Sequence, residues 1–332
     1  MAIRLFKIMM TCVLIIIPTF TFAHVKWFTN EQPVKESIEN ILSPFFIILS
    51  IFIAIILALL AQLLPRITET VLSKKIDQKL GKYRRYSKYI LKYGTALALL
   101  LQITNGSIFA PEFKVTSTFE MIWIILSMIL LVIPHHISTK LGAGSLLGLF
   151  IYVTNEVGIF HMLDYGFYLS IIGVLLIQKT TLEDWGFPFL YLGTGLSLCW
   201  VAVEKWVYPE LTINIIQQHG VPTFGFPNEI FIVIAAFIEF IVGYLLVVGI
   251  LNRLLAVVVS CLFILTTMIF GYTEVVGHFI IHIILLIFII EGVSFYDPPI
   301  SIHKTKIDQM VFVFLNFLLT LATFLLIYYR FA

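Results

Sequence analysis

Apolar runs of about 20 residues recur along most of the chain, and they restrict its fold more than any other feature. A helix needs ~20 mostly apolar residues to cross the hydrocarbon core of a bilayer. The chain is 60% hydrophobic and 12% charged, whereas soluble domains are about 45–50% apolar and ~25% charged. The sequence therefore predicts an all-α, polytopic membrane helix bundle. Its ten predicted spans are 43–64, 88–104, 118–134, 141–160, 162–178, 187–207, 228–251, 253–270, 273–293 and 307–329.

The first 23 residues have the form of a secretory signal peptide. Arg4 and Lys7 precede an apolar run, and Thr21-Phe22-Ala23 resembles a small-x-small cleavage site. Cleavage after Ala23 would make His24 the first residue of the mature protein, with a free α-amine and an imidazole on one residue. Such a nitrogen pair can chelate a metal ion, preferably copper. The alternative is that signal peptidase leaves whichever residue comes next, and that His24 has no role.

Lysine and arginine residues are distributed unevenly over the predicted loops. Alternate loops, dominated by segment 65–92, contain fourteen of these residues, and the remaining loops contain five. The positive-inside rule places the richer loops in the cytoplasm, and a cleaved signal peptide would place His24 on the opposite side. The sequence thus predicts a multi-pass protein of the bacterial inner membrane, with the mature N-terminus and the C-terminus in the periplasm. Membrane topology accounts for where the basic residues lie. We therefore expect the lipid bilayer as a partner, and we expect no nucleic acid.

Two parts of the chain resemble each other in order and spacing. Gly94-Thr95-Ala96-Leu97-Ala98-Leu99 leads to Pro111-Glu112, and Gly193-Thr194-Gly195-Leu196-Ser197-Leu198 leads to Pro209-Glu210. Each copy contains four spans, so the predicted repeats are tandem and parallel. The predicted organisation is a signal peptide (1–23), a periplasmic segment (24–42), a transmembrane helix (43–64), a basic cytoplasmic loop (65–85), a first, degenerate four-helix unit (86–180), a second four-helix unit (186–296) and a C-terminal transmembrane helix (307–329).

The second unit contains a series of short motifs: Gly195-Leu196, Glu204-Lys205, Pro209-Glu210, Ala236-Phe237-Ile238-Glu239, Gly243-Tyr244-Leu245-Leu246, Gly249, Arg253-Leu254-Leu255-Ala256 and Gly277-His278. With these motifs the second unit resembles the DoxX family of four-helix membrane proteins, and the first unit resembles a degenerate copy of it. The resemblance implies an integral membrane protein associated with redox chemistry, including quinone-linked thiosulfate oxidation, and so a component of a membrane oxidoreductase. His24-Val25-Lys26-Trp27-Phe28 is also similar to the mature start of some longer bacterial DoxX-like proteins, which favours a role for His24.

Charged and polar residues inside the second unit are the candidate site. Glu239 follows the start of its predicted span by eleven residues, which places it ~16 Å deep, where a charge costs roughly 2.5–3.5 kcal/mol. It can serve a proton or ligand site, or it can be a neutral acid bonded to a neighbouring helix. If the helices adjoin, a polar column runs inward through Glu204 and Lys205, which with Glu239 are the candidate catalytic residues.

Three histidines are the candidate metal ligands. His278 and His282 lie four residues apart on one helical face, a spacing that suits two ligands of one metal ion or two separate hydrogen bonds. In the sharper form of the prediction, His24 completes a copper site with His278 and with either His282 or Glu204. Other polar residues rank lower: His161 and Asp164 on the outer side can line a vestibule, and His135-His136, after Pro134, more readily cap a helix end.

Three functions remain open from the sequence. The leading hypothesis is a DoxX-like inner-membrane protein with a periplasm-facing polar site that binds copper or serves a redox or quinone-linked reaction. The first alternative is a proton-coupled transporter, which the repeats and the buried carboxylate favour. The second is a non-catalytic membrane scaffold that recruits a redox partner protein.

Overall fold

The computed structural model describes residues 25–28, 34–68, 70–249, 251–292 and 305–331. The predicted signal peptide and His24 lie outside the described residues. Within them the chain is almost entirely helical, with one short β-hairpin, which the sequence did not predict. The helices are α1 (Ile38–Ile41), α2 (Pro44–Thr68), α3 (Val71–Gly81), α4 (Ser87–Thr104), α5 (Thr118–Val132), α6 (His136–Val157), α7 (Ile159–Met162), α8 (Phe167–Ile177), α9 (Gly186–Val207), α10 (Pro209–His219), α11 (Asn228–Val248), α12 (Asn252–Phe270), α13 (Tyr272–Glu291) and α14 (Lys306–Phe331); the strands are β1 (Ser107–Ile108) and β2 (Ala110–Lys114).

Every predicted span contains a helix, and the all-α polytopic membrane bundle is confirmed. Seven described helices are long and apolar enough to cross a bilayer, namely α2, α6, α9, α11, α12, α13 and α14. An eighth span results if Ile159–Tyr165 and α8, which meet at a bend of 67°, form one broken crossing. The helix α5 is apolar but has only 15 residues, and α4 is not among the seven. The count of ten spans is therefore still a prediction.

Local sequence signals set several helix ends. Ser117 begins α5 with a capping box, in which its hydroxyl accepts from the Glu120 N–H and the Glu120 carboxylate accepts from the Ser117 N–H. Pro209 occupies the first turn of α10, where its missing N–H costs nothing. Gly220 ends that helix at a φ of 59°, a left-handed conformation that glycine adopts without strain.

The helices α9 and α11 form the most extensive contact in the bundle. Gly195 and Gly243 face each other at their crossing, and a Cβ atom on Gly195 would lie 2.5 Å from the Gly243 carbonyl oxygen. Small residues let two membrane helices approach this closely. The approach brings the polar residues of α9 and α11 within contact distance.

Two further helix pairs join the predicted four-helix units: α8 packs against α9, and α4 packs against α13. One apolar core connects both units, while α2 and α14 pair with each other at the side. The β-hairpin and the short turn Val25–Trp27 lie at the same end of the bundle, where β2 contacts that turn. The domain boundaries and the tandem repeat are still predictions.

Candidate functional site

A small cavity, which we call the polar chamber, lies between the two predicted units. It opens at the junction of α8, α9, α11, α12 and α13, and its volume of about 20 Å³ has room for about one water molecule. Its lining combines apolar side chains with hydroxyl, carboxyl and imidazole groups. The lining residues are Asp164, Phe167, Thr194, Ser197, Leu198, Val201, Glu239, Phe263, His278 and Ile281.

Lys205 and Glu239 form an ion pair at the chamber. The ammonium group on α9 donates to the carboxylate on α11, and the two side chains are only 1% and 6% exposed. The glycine contact between these helices explains why residues 34 positions apart meet here. Two of the three predicted catalytic residues are thus direct neighbours.

His278 is held from both sides on α13. Its Nδ1 atom lies 2.9 Å from a carboxylate oxygen of Glu274, and its ring stacks on Phe263 with the centroids 4.3 Å apart. Glu274 is fully buried and also accepts a hydrogen bond of 2.5 Å from the Thr266 hydroxyl. The imidazole therefore lies in one fixed orientation against the chamber.

His282 does not join this arrangement. It is half-buried, meets the edge of the Phe263 ring at a centroid distance of 6.0 Å, and does not line the polar chamber. In the part of the chain that the structure describes, no three or more His, Cys, Asp or Glu side chains are arranged to hold a metal ion. His24, the third predicted ligand, lies outside the described residues, so the copper prediction is untested.

Glu204, the third predicted catalytic residue, contacts a lysine from the far N-terminal part of the chain. The Lys26 Nζ atom lies 3.1 Å from a carboxylate oxygen of Glu204 and 2.7 Å from one of Asp164. Burial lowers the pKa of Lys26, but the charges of Asp164 and Glu204 more than reverse this effect and hold it well above the ordinary value. Lys26 is therefore a cation throughout the physiological pH range.

Two hydrogen bonds connect Trp27, the neighbour of Lys26, to the β-hairpin. The Trp27 indole donates to the Tyr165 hydroxyl at 2.8 Å, and that hydroxyl donates to Glu112 on β2. The His161 Nε2 atom lies 3.1 Å from the same Glu112 carboxylate. His161, which the sequence placed in a vestibule, is thus part of the rim of the site.

Sequence reasoning ranked Asp164 low and missed two further residues, Glu274 and Lys26. Asp164 lies inside a predicted apolar span, and the cost of a charge there is the same signal that identified Glu239. Glu274 lies near the start of its predicted span, where a charged residue costs less, so its position in the sequence attracts less attention. Lys26 carries no such signal, because its partners are determined only by the tertiary fold.

Acidic groups outnumber basic groups at the chamber. Among the described residues, the carboxyl groups of Asp164, Glu204, Glu239 and Glu274 face Lys205, Lys26 and His278. Even with the imidazole charged, four acids face at most three cations. An uncompensated buried charge is costly, so at least one proton or one further cation belongs to the cluster.

Two polar atoms of the chamber wall also have no hydrogen-bond partner among the described residues. They are Oδ1 of Asp164 and Oγ1 of Thr194, and both residues are 1% exposed. Buried polar groups of native proteins almost always have a partner. The chamber therefore fits a water molecule or a small polar ligand.

Residues 191–272 match the sequence profile of the DoxX family, which confirms the predicted resemblance of the second unit. The match begins within α9 and ends at the first residue of α13, so it includes Glu204, Lys205 and Glu239 but not His278, Asp164 or Lys26. Searches of curated proteins and of solved structures find no significant match. Residues 191–272 are thus similar to the DoxX family, and the long apolar helices make the chain a multi-pass membrane protein in contact with the lipid bilayer.

Proposed function

We propose that this DoxX-like protein is a proton-coupled membrane transporter, and that the polar chamber is its proton-binding site. The observation that carries the proposal is the excess of buried carboxyl groups over cations around the chamber. A proton balances that excess without needing space, and the chamber has room for about one water molecule to pass it on. Intramembrane carboxyl groups are typical of proton relays, and transporter sites commonly lie at the interface between repeated units.

The proposed proton path runs between Asp164 and Glu239. Both residues line the chamber, and water inside it would carry the proton from one carboxyl group to the other. Lys205 holds the Glu239 carboxylate in place through its ion pair. The Thr194 hydroxyl supplies a further polar group for that water.

Infrared spectroscopy of the purified protein tests the site. At neutral pH we expect the carbonyl stretching band of a protonated carboxyl group in the wild type, and its loss in Glu239→Gln, because one acid fewer leaves three acids facing three cations. Glu229→Gln is the matched control, since Glu229 is exposed on the same helix, and it should keep the band. A wild type without the band, or a Glu239→Gln variant that keeps it, would contradict the proposal.

A copper site at His278 is a second candidate, favoured by one specific contact. Metal-binding histidines usually have a carboxylate next to their other ring nitrogen. The Nδ1 atom of His278 lies 2.9 Å from a carboxylate oxygen of Glu274, so Nε2 would be the ligand atom. His24 is joined through Val25 to the segment that packs on His278, and after cleavage it would add an amine and an imidazole. Bound copper would supply one-electron redox chemistry.

Mass spectrometry of the N-terminus and elemental analysis of the purified protein together test this candidate. We expect a chain that starts at His24 and a copper content that falls in His278→Gln but not in His135→Gln, which removes a histidine at the other end of the bundle. Equal copper contents in both variants, or a chain that still carries its first 23 residues, would exclude the site. Quinone-linked chemistry, the membrane oxidoreductase assignment and a redox partner are predictions without a supporting contact among the described residues.

A further inference from the structure

Three consecutive side chains near the N-terminus lie beside the polar chamber, and two of them contact residues that line it. We call Lys26, Trp27 and Phe28 the plug. The residues form only a single 3-10 turn, so backbone hydrogen bonds of a long helix do not hold them in place. Their side chains do so, through contacts with residues far along the chain.

The Lys26 ammonium group lies between two carboxylates from different elements. Asp164 comes from the turn before α8, and Glu204 comes from α9, and their side chains are 0% and 3% exposed. Lys26 is the most exposed member of this group, with 23% of its side chain accessible. Its charged end therefore enters the site from the solvent side, as a soluble ammonium ion would.

Trp27 and Phe28 continue these contacts onto His278 and the end of α12. The Trp27 ring lies 4.8 Å from the His278 ring, and the Phe28 ring lies 4.8 Å from Phe270. The Trp27 ring rests on Gly277, where any Cβ atom would overlap it. The glycine of the Gly277-His278 pair thus provides the space that the indole occupies.

We propose that Asp164 and Glu204 form a binding subsite for a primary ammonium ion, and that the tethered Lys26 occupies it and so closes the polar chamber. An independent observation supports a ligand here: Oδ1 of Asp164, on a residue 1% exposed, has no hydrogen-bond partner among the described residues and belongs to the chamber wall. When Lys26 is replaced, the subsite is open to a small alkylammonium ion, and the chamber is open to solvent. The proposal stands on contacts alone and does not rest on the proton-binding function.

Thiol labelling of a chamber residue tests the proposal in the full-length protein in detergent. A Thr194→Cys reporter, placed in a background with Cys12→Ser, Cys199→Ser and Cys261→Ser, measures how readily the reagent reaches the chamber. We expect a cationic ethylammonium methanethiosulfonate reagent to label it at least about tenfold faster in Lys26→Ala than in the plug-intact protein, a change that corresponds to ~1.4 kcal/mol. Lys35→Ala, which removes an exposed lysine near the same end, should label at the original rate.

Two further measurements separate the plug from a general loosening of the fold. Methylammonium chloride should slow the labelling of Lys26→Ala, whereas tetramethylammonium chloride, which cannot donate hydrogen bonds, should not. Gly277→Ala keeps every charge but displaces Trp27, and it should also speed labelling. Unchanged rates in both Lys26→Ala and Gly277→Ala, or equal effects of the two ammonium salts, would overturn the proposal; the infrared result for Glu239 would not be affected.

Discussion

The buried pair of Lys205 and Glu239 gives the sharpest stability prediction. With side chains 1% and 6% exposed, neither charge is screened by water, and removing one partner of such a pair costs about 3–5 kcal/mol. In Lys205→Met, Glu239 has lost its ion-pair partner and avoids a buried negative charge by taking up a proton. Neutralising an ordinary glutamate at pH 7 costs about 3.7 kcal/mol. We therefore expect Lys205→Met to lower the free energy of unfolding by ~3–4 kcal/mol.

Reversible unfolding in mixed detergent micelles, followed by tryptophan fluorescence, measures this loss. Replacing both residues, in Lys205→Met with Glu239→Leu, leaves no stranded charge, and such replacements are often neutral or stabilising. The deficit of the single variant should shrink by ~1.4 kcal/mol for each pH unit below 7, because protonation becomes easier. The reasoning is refuted if the single variant matches the wild type at pH 7, or if the double variant is no more stable than the single one.

Two further predictions concern the scaffold. A Cβ atom on Gly243 would lie 2.6 Å from the Gly195 carbonyl oxygen, so Gly243→Ala should destabilise the protein by ~1–3 kcal/mol and lower its unfolding midpoint in a size-exclusion thermal-stability assay. Gly144 has open space around it, so Gly144→Ala should leave the midpoint unchanged. Equal midpoints for the two variants would contradict the close contact between the helices. Gln102 is fully buried, and its side-chain amide forms hydrogen bonds with both the N–H and the C=O of Phe109. Gln102→Leu should therefore lower the free energy of unfolding by ~1–3 kcal/mol, because it leaves the Phe109 N–H unpaired. An unfolding curve identical to that of the wild type would show that the hairpin does not depend on Gln102.

The apolar runs predicted the position of every long helix but not where each one ends or bends. The span predicted at 141–160 begins five residues earlier, at His136, since the His135 side chain accepts from the Ile137 N–H and starts α6. The expected capping role of His135 is thus confirmed. Hydropathy counts apolar side chains and does not register such caps, and it likewise does not register the 67° bend before α8.

The sequence likewise predicted some residues of the candidate site and not others. Glu239 and Lys205 were identifiable because a charge inside an apolar span is costly and needs a partner. His282 was grouped with His278 because four residues nearly complete a helical turn, yet they also rotate the side chain by about 40°, and here that rotation takes His282 away from the chamber. The partnership of Lys26 with Asp164 follows from tertiary packing alone.

Proton flux into proteoliposomes tests the central claim most directly. Vesicles with an entrapped pH-sensitive dye, clamped by a potassium diffusion potential, should acidify faster with the wild-type protein than without it. Glu239→Gln should abolish the additional flux, while Glu229→Gln should retain it. Equal rates for the wild type and Glu239→Gln would contradict a proton-coupled function of the polar chamber.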